Sequence, residues 1–228
     1  MANKSPLEAM FKTHIYPLMR DAGFSRKGGR LFYRLSEVGD AASIEMHSRP
    51  QIGVTSFHVE YGIVTAARQA WITHISPTDR EALYPSNGIW QRLKMPSDVL
   101  TSQFSDGSEW GFYTGYEETM TACGVGLARA LREEVIPFLL RMLDKNELSR
   151  FIDDLPQTQL DHWHLPMDRA RVQTELWLDD WPIDKLQPRL ADAFRGDKPY
   201  YRLRWAQRRL DERAARENGN HPPETAKG

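Results

Sequence analysis

Apolar residues near the start of the chain recur at helical spacing: Leu7, Met10, Phe11, Ile15, Leu18 and Met19 share one face of a helix. Ser5 suits its N-cap and Pro6 its first position. Glu8, three residues after Ser5, completes a capping-box pattern. Pro17 predicts a kink or early break, and Gly23 a left-handed end with Phe24 folding back as the apolar contact. The next segment, Ser25-Arg26-Lys27-Gly28-Gly29-Arg30, is a turn by composition. Leu31 to Leu35 then reads as a strand and Val38-Gly39-Asp40 as a hairpin turn. Alternation follows, with Ile44 and Met46 opposite Glu45 and His47. It recurs more clearly where Phe57, Val59, Tyr61 and Ile63 oppose His58, Glu60 and Gly62. Such alternation marks a sheet with one buried and one wetter face, and the short connections predict antiparallel pairing.

Between Thr65 and Gly115 the pattern is broken by Pro77, Pro85 and Pro96. A short helix over 66–72 and strands over 89–93 and 109–113 are the expected elements. A long amphipathic helix is expected from Glu117 to about Leu143, bent at Pro137. Beyond Asn146 the period is helical and interrupted by prolines, with helices over 148–155, 167–178, 183–194 and 200–217. The expected fold is α+β: an N-terminal helix, an antiparallel sheet covered by helices, and a helical C-terminal third. The expected division is a sheet domain over 1–145, a helical extension over 146–217, packed on the sheet or appended to it, and a polar disordered tail over 218–228.

Composition narrows the setting. A chain of 228 residues buries roughly 70% of its unfolded surface and needs no metal or disulfide to fold. Cys123 is the single cysteine, which rules out an intrachain disulfide and a thiolate zinc cage. The opening residues lack the apolar run of a secretory signal, and no apolar stretch is long enough to span a membrane, so a cytoplasmic protein is expected. A formal charge of −1 favours neither nucleic acid nor a basic partner. The charge is segregated, however. Between Arg20 and Arg34 five basic residues face Asp21 alone, and between Lys198 and Glu217 seven face three acids.

One stretch has a familiar look. The run Leu18-Met19-Arg20-Asp21-Ala22-Gly23-Phe24-Ser25-Arg26-Lys27-Gly28, followed by Leu31-Phe32-Tyr33-Arg34, resembles the bacterial domain-of-unknown-function 4304 family. Phe57-His58-Val59-Glu60-Tyr61-Gly62-Ile63, Trp90-Gln91-Arg92-Leu93 and Trp110 extend the likeness over roughly Ser5 to Leu143. The resemblance implies an α+β fold and carries over no catalytic residue.

No spacing in the chain forces a reaction, so no catalytic residue and no cofactor is assigned. The glycines of Arg26-Lys27-Gly28-Gly29-Arg30 follow a helix, whereas a phosphate-cradling loop precedes one. Glycine's freedom explains the turn, and its cations are left to meet an acidic partner. Asp161-His162-Trp163-His164 would place His162 and His164 on one face of an extended segment, a weak metal pair beside the plainer reading of a loop anchored by Trp163. His47 and His58, next to Glu45 and Glu60, could meet across neighbouring strands, or be ordinary residues of a half-exposed sheet. Cys123 beside Gly124 reads as a small packing residue.

Three functions follow in order of preference. The first is a non-catalytic module, accessory or immunity-like, that binds another protein through Arg26, Lys27, Arg30, Arg34, Trp163, Trp205 and Arg208. The second is a metal-dependent hydrolase using the histidines. The third is a weak nucleic-acid binder through the basic turn and the last helix, whose positive stripe Asp211, Glu212 and Glu217 interrupt.

Overall fold

The computed structural model describes residues 5–76, 81–99, 109–155, 163–165, 168–194 and 201–217. The segment 218–228, expected to be a polar tail, lies outside them. The fold is α+β as expected, with, among the described residues, a six-stranded antiparallel sheet and seven helices.

Helix α1 comprises Pro6–Met10, a π-helical turn Phe11–Ile15, and Tyr16–Asp21. The π turn answers the proline. Pro17 has no N–H to bond the carbonyl four residues back, and its ring would press on that carbonyl. Instead the Tyr16 N–H reaches back five residues to the Phe11 carbonyl, widening the turn so that the helix continues. The predicted break is therefore a bulge. At the start of the helix Ser5 is the N-cap but makes no side-chain capping bond, and Glu8 accepts a hydrogen bond from the Tyr16 hydroxyl at 2.8 Å. The capping box is thus not formed. The far end matches expectation: Gly23 has φ of 78°, its N–H bonds the Arg20 carbonyl at 2.9 Å, and Phe24 N–H bonds the Met19 carbonyl at 2.9 Å. The Arg34 guanidinium donates to the Ala22 carbonyl at 2.8 Å and closes that terminus.

Strands β1 (Ser25–Lys27), β2 (Leu31–Leu35), β3 (Ala41–Gln51) and β4 (Val54–Val64) form a meander. The basic segment read as a turn thus begins as an edge strand, with the turn confined to Gly28 and its neighbours. After β4 come helix α2 (Ala66–Ile75), two short 3-10 turns (Glu81–Leu83 and Pro85–Asn87), β5 (Ile89–Arg92) and β6 (Trp110–Tyr113). Both late strands pair with β4, β6 along Val54–Phe57 and β5 along Glu60–Ile63, so β4 changes partner at His58 and Val59.

One face of the sheet carries Phe32, Ile44, Met46, Phe57, Val59, Tyr61, Trp110 and Phe112, all buried. It is covered by α1 and by α3, which runs Glu117–Ala130, then a second π turn Leu131–Val135, then Ile136–Met142. That π turn again sits just before a proline, Pro137, with Ile136 N–H bonded to the Leu131 carbonyl. The two helices meet at Gly124. A Cβ there would lie 2.5 Å from the His14 ring, so only glycine admits this approach.

The C-terminal helices are α4 (Lys145–Asp154), α5 (Arg169–Leu176), α6 (Ile183–Ala193) and α7 (Tyr201–Glu217). Leu148, Ile152, Val172 and Leu176 join the main core. Leu186, Leu190, Phe194, Trp205 and Leu210 form a second core on Ala67, Trp71 and Ile72 of α2. A buried ionic cluster ties the same elements together. Glu175 of α5, 3% exposed, lies 3.7 Å from Arg68 of α2 and 3.9 Å from Arg202 of α7. No described helix is long and apolar enough to cross a membrane.

Candidate functional site

The opposite face of the sheet is where sequence alternation predicts polar, wetter residues. The residues are polar, but the face is not wet. In the β3–β4 register Glu45 lies opposite Glu60 and His47 opposite His58. Glu45, His58 and Glu60 are 7%, 8% and 6% exposed. Nearer the other end of this face, Leu31, Ala41, Val64 and Leu83 form a small apolar cluster with Tyr33 and Tyr84. The polar cluster therefore begins where apolar cover gives way, and His47, with 39% of its side chain exposed, is its most open member.

Two glutamates directly opposite each other on a buried sheet face repel unless positive charge stands between them. His47 supplies it. Its Nε2 is 3.2 Å from Glu45 Oε2 and 3.6 Å from Glu60 Oε2. These two carboxylates, Glu45 first, push the His47 imidazole up to about 9, against the opposing effect of burial. His58 Nε2 and the Arg92 Nε each approach Glu60 Oε1 at 3.4 Å. Burial by itself would raise Glu60. The hydrogen bond and charge of His47, with His58 and Arg92, outweigh it and hold the carboxyl below its usual range. The two imidazoles stack with centroids 4.7 Å apart and planes inclined by 18°.

Position in the sheet brings these groups together. Long strands with unbroken pairing place Glu45, His47, His58 and Glu60 on one face by period two. The change of partner along β4 sets His58 between the stretches paired to β5 and β6, and β5 delivers Arg92 opposite Glu60. Among the described residues, one ligand atom from each of His47, His58 and Glu60 falls within a mutual 4.8 Å, a set able to hold a metal ion. Metal bonds of about 2.1 Å set adjacent ligand atoms roughly 3–3.5 Å apart. The His58 contact to Glu60 Oε1, at 3.4 Å, falls in that range, and the His47 contact to Glu60 Oε2, at 3.6 Å, lies just beyond it.

The other anticipated residues lie elsewhere. His164 bridges the β5 edge, where its backbone pairs with that of Trp90 and its ring stacks on the Trp90 indole at 4.3 Å; it does not belong to the three-residue set. His162 and Asp161 lie outside the described residues. Trp163, 9% exposed, packs against Tyr61, Phe138 and Phe151, and Trp205, also 9% exposed, meets Trp71 edge-on at 5.6 Å. Both indoles are thus core residues, because packing against other aromatic rings uses the surface that would have met a partner. Arg208 is exposed on α7. Arg26 is exposed with its guanidinium 4.2 Å above the Tyr16 ring, and Lys27 and Arg30 are half-buried beside it. Cys123 is fully buried, and that burial pushes its thiol up to about 12, opposite in direction to a reactive cysteine.

Glu45, Glu60 and Arg92 were not assigned to a site from the sequence. The signal that reaches them is the shared parity of Glu45 with His47 and of His58 with Glu60, combined with the register that aligns the two strands. The chain matches no family model, no curated protein and no solved structure.

Proposed function

We propose that this protein binds one divalent transition-metal ion through His47, His58 and Glu60, and that the bound ion serves metal-assisted hydrolysis. The carrying observation is the convergence of two imidazoles and one carboxylate within a mutual 4.8 Å on neighbouring strands. Two histidines with one carboxylate form a donor set suited to zinc and its first-row neighbours, and three protein ligands leave coordination positions for water and substrate. A divalent ion also takes over the task that a protonated His47 performs, neutralising two buried glutamates. Glu45 is the carboxylate left outside the set, 3.2 Å from His47, and would be the base available to a water on such an ion. His47 is the member of the set nearest solvent, with 39% of its side chain exposed.

The test begins with protein stripped by chelator and titrated with zinc, cobalt(II) and manganese, using calorimetry and cobalt absorption. One ion per chain is expected. His47→Ala, His58→Ala and Glu60→Gln should each weaken uptake by at least about tenfold with circular dichroism unchanged. Hydrolysis of p-nitrophenyl esters and phosphate esters should then appear only with metal present. Variants that take up metal as well as the parent chain would overturn the assignment, and the cluster would stand as a charge-compensated pair of strands.

A further inference from the structure

The sheet carries a second unusual feature at its far edge. Strand β1 is the terminal strand, and among the described residues no strand lies on its outer side. Among the described residues no strand pairs with its outward N–H and C=O groups, which form a template for another strand. The register places Arg26 opposite Phe32 and Lys27 opposite Leu31, so consecutive cations point to opposite faces of that edge. Arg30 follows in the turn and Arg34 in the next strand. Among the described residues, none of Arg26, Lys27, Arg30 and Arg34 forms an ion pair with an acid. The acids nearby already have partners: Glu8 pairs with Lys12 at 3.7 Å, and Asp21 with Arg20 at 3.3 Å.

Beside β1 lies an open groove of about 430 Å³. Tyr16, Met19, Phe24 and Phe32 supply its apolar floor; of the cations on its rim, Lys12 and Arg20 pair with Glu8 and Asp21, and Arg26 faces no acid among the described residues. An apolar floor under a positive rim, next to a free strand edge, suits one kind of ligand. That ligand is an extended chain that pairs with the edge, sets carboxylates against the rim and lays an apolar side chain in the groove.

We propose that β1 binds an extended acidic segment of a partner protein by strand addition. A second copy of this chain is disfavoured, because like cations would face each other across the new pair. Nucleic acid would meet the cations but would leave the strand edge unpaired, and four cations make too short a track for tight phosphate binding.

The probe is a short fluorescein-labelled peptide of alternating glutamate and valine, followed by fluorescence anisotropy against the full chain. Binding is expected, weakening as salt rises. The double variant Arg26→Glu with Lys27→Glu should weaken it at least about tenfold, with the melting temperature held near that of the parent. Arg30→Glu, outside the strand, should weaken it in the same direction and serves if the double variant fails to fold. A peptide with proline in place of each valine keeps every carboxylate but loses every second N–H, and should fail to bind. Equal binding of the proline peptide would overturn strand addition. Tighter binding of labelled single-stranded DNA would overturn the protein partner in favour of nucleic acid, and no binding of the parent peptide would overturn the proposal outright.

Discussion

His47 and His58 face each other across the β3–β4 pair, their rings stacked at 4.7 Å, and each reaches a glutamate with its Nε2. The stack makes the cluster a single electrostatic unit, in which removing one member changes the charge felt by the rest.

The first prediction concerns that coupling. His47→Ala leaves Glu45 and Glu60 opposed on a buried face and should cost about 1–3 kcal/mol of stability, limited by the partial exposure of His47. Adding Glu60→Gln removes one of the two charges and should recover part of the loss. Urea denaturation of the single and double variants measures the interaction directly, and strictly additive losses would contradict the coupling.

Gly124→Ala tests the contact of α1 with α3. The new methyl would fall 2.5 Å from the His14 ring and 3.0 Å from Met10, so a destabilisation of about 1–3 kcal/mol is expected. His14→Ala in the same chain opens the space, and thermal unfolding should then show most of the stability restored.

Alkaline stability should report Tyr61 and Cys123. Burial raises the Tyr61 phenol from 10.0 to about 12 and the Cys123 thiol from 9.0 to about 12. Above pH 9 the unfolded chain releases protons that the folded chain retains, so stability falls as pH rises toward 12. Cys123→Ala and Tyr61→Phe should each flatten the decline in urea midpoint over this window. At pH 8 a thiol reagent should leave native Cys123 unmodified and react once denaturant is added.

The Glu175 cluster should hold the helical part on α2. Glu175→Ala removes the carboxylate between Arg68 and Arg202 beside an apolar core and should cost about 3–5 kcal/mol. Hydrogen exchange should rise first in α5 and α7, with the β3–β4 pair still protected. Uniform loss of protection across the sheet would assign the cluster a wider role.

Local chemistry was enough to read the elements. The helix that ends at Gly23, the strands around Phe32, Ile44 and Val59, and the long helix after Tyr116 are all legible as periods of two or 3.6 with a cap or turn residue at the boundary. Prolines 17 and 137 could be seen to disturb their helices, but that each helix continues through a π turn is seen only in the folded chain. The apolar face of the sheet was legible for the same reason, since alternation is a local property of the strand.

The candidate site depended on relationships that no local pattern contains. Alternation placed Glu45 and His47 on one face, and His58 and Glu60 on one face, but a shift of one residue between β3 and β4 would have put the two sets on opposite sides of the sheet. The tertiary register made them one cluster, and burial turned ordinary polar residues into mutually compensating charges. Burial likewise makes Trp163 and Trp205 core residues, because whether an indole meets a partner or another ring is decided by what folds over it. Sequence determined which residues share a strand face or a helix face. Only the tertiary structure, through register and enclosure, decided which of those faces meet.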